Sequence, residues 1–154
     1  MLQGKGMFIW EVQKADGGDP DRLVALARAA QITHVIFKLS DGTFDFPLPA
    51  QDPGGRYELM TDAAIRAFQR AGVQVWALTH TQGSDPAMEA HRAASRVLRW
   101  SLSGLVVSPQ SQYIGQHDKA RLFMSTLRQD LGTDPERFLI AFSLAVSIFE
   151  PALA

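Results

Sequence analysis

The sequence predicts an α/β fold built from parallel βα repeats, about five strands with helices on one outer side. Three observations carry this. Short β-rich apolar runs alternate with stretches of helical periodicity along all 154 residues. Runs such as "VIFKLSDG" and "GLVVSP" are apolar on both faces, as strands covered on both sides are. The segments between strands are long enough for the crossover that parallel neighbours require.

"GMFIWEV" (6–12) is the first strand expected from this pattern. In "GGDPDRLVALARAAQ", Asp19 is a cap, Pro20 suits the first helical turn, and Leu23, Leu26 and Ala27 form an apolar stripe. "THVIFKLSDG" (33–42) is the second strand, followed by a long Pro-, Gly- and Asp-rich loop from about 42 to 57. A helix over 58–72 ends with Gly72 at the C′ position. "VQVWALT" (73–79) is the third strand, and a helix over 83–100 opens with the same Asp-Pro device. The fourth strand is 104–109, the fourth helix 117–132, and a fifth strand centres on Phe138 to Phe142. The length suits a single domain over 1–154.

Composition narrows the function classes. A net charge of −1 supplies no field for nucleic acid or an anionic membrane, so neither is expected as a partner. No apolar run approaches the roughly 20 residues that span a bilayer. The start, "MLQGKGMFIWEV", lacks a signal peptide's apolar core, so a cytoplasmic location is the default expectation, and secretion follows if a leader was removed. Without cysteine there is no disulfide or thiolate site, and His34, His80, His91 and His117 are too dispersed for a metal set. No GxGxxG follows the first strand and no GxxxxGK[ST] occurs anywhere, so no cofactor is expected.

Taken in order, "FIWEV…GGDP", "VIFKLSDG", "VQVWALTHTQGSDP" and "GLVVSPQSQYIG" resemble the first four strand regions of a group of glycosidase-like TIM-barrel domains found in bacterial proteins. The resemblance implies a partial (β/α)8 barrel, since a complete one takes about 250 residues. It also implies a site at the carboxyl ends of the strands. In this register Ser108 stands where the family has Asp, and Gln110 and Gln112 stand where it has Glu. Glycoside hydrolysis needs two carboxyl groups, one to protonate the leaving oxygen and one as base or nucleophile. Glutamine hydrogen-bonds a sugar but does neither.

The candidate ligand-binding residues are therefore Lys38, Asp41, His80, Ser108, Gln110, Gln112 and Tyr113. Glu11 and Asp41 are the acids left as candidates for residual catalysis, with Asp45 and Asp52 within reach on the long loop. For Lys38 and Asp41 the competing reading is a plain strand-end ion pair. Tyr113 and Trp76 offer rings that could stack on a sugar, but for Trp76, inside its strand, core is the favoured reading. Three functions follow. The first is a catalytically degenerate module that binds a glycan or serves as a scaffold. The second is an active hydrolase using acids outside the fourth strand, and the third is a purely structural interaction domain. The missing acids weigh against an enzyme. A truncated barrel is also expected to leave its inner face open, with some of Phe8, Ile9, Val35, Ile36, Val75, Val106, Leu139 and Ile140 exposed. Another copy, a second polypeptide or the final segment "AVSIFEPALA" would then cover it.

Overall fold

The computed structural model describes residues 3–132 and the strand 139–142. β1 (Lys5–Ile9), β2 (Ile32–Asp41), β4 (Gln74–Thr81), β5 (Gly104–Pro109) and β6 (Leu139–Phe142) lie in that order, each parallel to its neighbour. A two-residue strand, β3 (Phe44–Asp45), folds back antiparallel on the end of β2. The described strands form an open sheet with β1 and β6 at its edges.

Four helices connect the parallel strands: α1 (Pro20–Ala29), α2 (Arg56–Arg70), α3 (Pro86–Arg99) and α4 (His117–Leu131). Strands that advance in one direction through right-handed crossovers place every helix on the same side. Accordingly Ala27, Phe68, Val97 and Leu127, one from each helix, share a buried cluster with Val35, Phe37, Val75, Leu105 and Val107. Ile36, Trp76, Leu78 and Val106 alternate with those strand residues and form a second buried cluster on the opposite, inner face.

Local signals place the helix ends. The Asp19 carboxylate accepts from the amides of Asp21 and Arg22 at 3.0 and 3.1 Å, and Pro20 opens α1. Asp85 accepts from Met88 N at 3.0 Å ahead of Pro86. Gly72, at φ +74°, follows α2 in the left-handed conformation that terminates helices. Leu26 departs from the expected stripe: it is exposed, while Leu23 and Ala27 are buried.

Two further expectations are corrected. β1 ends at Ile9, not at residue 12, because the chain turns into a 3-10 helix over Val12–Lys14 that buries Val12 in the helix-side core. The expected exposure of the inner face is also not found at Ile36 and Val106. Ile36 and Val106 are buried there, while Ile9, Val35 and Val75 point to the helices. Exposure remains at the edge, where Phe8 is 59% and Trp10 46% exposed. The side chains of Leu139 and Ile140 and the segment 145–154 lie outside the described residues.

Candidate functional site at the strand ends

At the carboxyl ends of the strands the inner face changes from apolar to polar. Lys38, one residue pair above Ile36, begins the change. Strand side chains alternate, so Lys38 and Asp41 should face opposite ways. An irregular register between Lys38 and Ser40 adds one residue to β2, which brings Asp41 level with His80 and onto the face of Lys38. Lys38 Nζ then donates to Asp41 Oδ2 at 2.6 Å. Gln82 Nε2 donates to the other oxygen, Oδ1, at 2.7 Å.

Two rings enclose the ammonium group. Lys38 Nζ lies 4.3 Å from the Trp10 ring centre and 4.2 Å from that of Phe46. Trp10 arrives directly after β1. Phe46 arrives because β3 takes the place beside β2 that the shorter β1 vacates, and its amide donates to Leu39 O at 3.0 Å. His80 meets the Trp10 ring edge to face at 4.7 Å and pairs in register with Ser108 on β5.

The charges in this cluster shape one another. Burial pushes the Asp41 carboxyl up, but hydrogen bonds from Lys38 and Gln82 and the nearby positive charge outweigh it and hold the group below its ordinary value. Burial, and then the Lys38 charge, push the His80 imidazole down, with Asp41 partly opposing. At neutral pH the site therefore presents an ion pair, a neutral imidazole, a hydroxyl and amides around a half-exposed indole.

The structure brings together Lys38, Asp41, His80 and Ser108, with Gln110 at the margin, where its Nε2 approaches Ser108 O at 3.4 Å. It separates the others. β5 ends at Pro109, and the chain turns into a 3-10 helix over Ser111–Tyr113. Gln112 is exposed on this turn, and Tyr113 swings to the helix side against Phe123. Glu11 lies beyond β1, its oxygens taken by Gln13 Nε2 at 3.0 Å and Lys14 Nζ at 2.9 Å. Asp45 pairs with Arg96 at 2.8 Å and Arg92 at 3.3 Å. Asp52 caps α2 through the amides of Tyr57 and Glu58.

Trp10, Phe46, Gln82 and Glu89 are absent from the sequence-derived site. Phe46 carries no local signal, because a loop residue reaches Lys38 only through the β3 fold-back. Glu89 shows only as an acid in the first turn of a helix, a common dipole complement. In the fold it is fully buried. It accepts from the amides of Gln82, Gly83 and Ser84 at 3.1 Å each, from Ser84 Oγ at 3.2 Å and from Tyr113 Oη at 3.2 Å. It thereby fixes the loop that carries Gln82 to Asp41.

Among the described residues no group of three or more His, Asp or Glu side chains is placed to hold a metal ion. No described helix is long and apolar enough to cross a membrane. No family model, no curated protein and no solved structure matches this chain.

Proposed function

We propose that this chain is a glycan-binding module of glycosidase-like barrel ancestry in which hydrolysis has been lost. The observation that carries the reading is the state of Asp41. It is the one carboxylate among the described residues on the inner face at the strand ends, and Lys38 and Gln82 occupy both of its oxygens. A glycoside hydrolase needs a protonated acid and a second carboxylate several Å away. A carboxylate held ionised in an ion pair is a poor proton donor. A sugar instead would lay its C–H face on Trp10 and hydrogen-bond to Gln110, Ser108 and His80. The strand order and the single-sided helices support the partial-barrel reading.

Binding and hydrolysis measured in the same samples test this. A panel of neutral polysaccharides and their oligosaccharides should include ligands that shift the Trp10 fluorescence, with no reducing sugar released between about pH 4 and 8. Trp10→Ala should abolish binding. Turnover lost in Glu11→Gln or Asp41→Asn would establish an active hydrolase instead.

A second reading, that the domain serves in assembly, is favoured by the β1 edge. Phe8 is 59% exposed on a strand that, among the described residues, pairs on one side only, a combination that invites association with a second copy or another polypeptide. Light scattering of the native chain and of Phe8→Lys would separate this reading from the first. A loss of mass in the variant supports assembly through β1.

A further inference from the structure

Behind the sheet, on the helix side, a cavity of about 240 Å³ opens between β5 and α4. Val107 and Pro109 form one wall, and Phe123 and Met124 the other. Tyr113 and Thr81 provide its polar groups, with their hydroxyls side by side. Ala120, exposed on α4 and lining the cavity, marks the mouth. It is distinct from the strand-end cluster, which faces the opposite side of the sheet.

The polar groups have a definite hydrogen-bonding sense. Tyr113 Oη donates its proton to the buried Glu89 at 3.2 Å, so its oxygen can only accept, and with the Thr81 hydroxyl donating to it the pair turns acceptor oxygens to the cavity. Burial, then the Glu89 charge, push the Tyr113 phenol well above its ordinary value, so it stays a neutral hydroxyl. Among the described residues no cation lines the cavity, and the nearby Lys119 ammonium is engaged by Gly83 O at 2.9 Å. An anionic guest would approach the Glu89 carboxylate with no cation among these lining residues to neutralise it. An apolar void of about 150 Å³ suffices for benzene, so this one has room for a ring with a substituent or a fused pair.

We propose that the cavity between β5 and α4 is a binding site for a small, uncharged, largely apolar molecule carrying one hydrogen-bond donor, of the size of a phenol or an indole.

Titration of the native chain with phenol, indole, toluene and benzoate, followed by amide NMR, tests the proposal. Phenol and indole should shift Val107, Tyr113 and Phe123 saturably. Toluene, lacking the donor, should bind about fivefold more weakly, the range of one hydrogen bond. Benzoate should leave these signals unmoved. Ala120→Leu, a surface change that fills the mouth, should weaken phenol by about tenfold or more. Tyr113→Phe should narrow the difference between phenol and toluene, with only the Thr81 hydroxyl left to meet the donor. The proposal is overturned by any of three results: no saturable shift with phenol or indole, shifts that persist undiminished in Ala120→Leu, or benzoate binding equal to phenol. Should Tyr113→Phe fail to fold, the ranking of the four probes on the native chain and the Ala120→Leu result decide the matter.

Discussion

Lys38 Nζ and Asp41 Oδ2 lie 2.6 Å apart on one face of β2, although three positions along a regular strand would set them on opposite faces. The extra residue in the β2 register makes the pair, and the pair in turn stabilises the irregular register. The arrangement keeps a nearly buried ammonium group beside two aromatic rings without leaving it uncompensated.

Asp41→Asn should therefore destabilise the fold by about 3 kcal/mol, the low end for a broken buried pair, because Asp41 retains some contact with solvent. Replacing both partners, as Lys38→Met with Asp41→Asn, should cost less than the single change. Urea unfolding of the two single variants and the double variant measures this. Equal, additive losses would show that the pair is not coupled.

Stability should fall on acidification in two stages. His80 titrates below its ordinary value in the folded chain, so below about pH 6.5 the unfolded chain binds more protons and folding weakens. Asp41 is also depressed when folded, so its contribution is present above the ordinary carboxylate range and lost as pH falls towards the folded value. Glu58 and Asp62, held down by their arginine partners against burial, share the acid stage. His80→Gln should flatten the first stage alone, and Asp41→Asn should reduce the second. Thermal unfolding midpoints across pH 3 to 8, at roughly one-unit steps, give the curve.

Glu89→Gln turns one acceptor into a donor facing the amides of residues 82 to 84. The expected loss is about 3 kcal/mol, from buried donors left without a partner. Hydrogen exchange at Gly83 and Ser84 should accelerate well before global unfolding. Unchanged protection there would mean that the carboxylate does not hold the loop.

Gly6 lies against His34 at the other end of the inner face, and a Cβ at that position would fall 2.1 Å from His34 Nε2. Gly6→Ala should cost about 1–3 kcal/mol by overpacking at β1. His34→Ala in the same chain should recover most of it. Failure of the second change to rescue would place the strain elsewhere on β1.

The fold is legible in the sequence because its signals are local. The Asp19-Pro20 and Asp85-Pro86 starts and Gly72 at a helix end act within about one turn of chain. Strand apolarity likewise follows from what each segment buries. Parts of the site are legible for the same reason: Lys38, His80 and Ser108 fall where strands end. The remainder depends on pairings between distant segments. Whether Asp41 shares a face with Lys38 depends on one register irregularity, which alternation along β2 does not reveal. Phe46 reaches the site because β1 stops short and β3 takes its place. Tyr113 leaves it because β5 ends at Pro109 and the chain turns. Glu89 is fully enclosed only when the β4–α3 loop and Tyr113 close around it. Propensity and capping act between neighbours in sequence, whereas register, fold-back and enclosure arise only after the sheet has assembled.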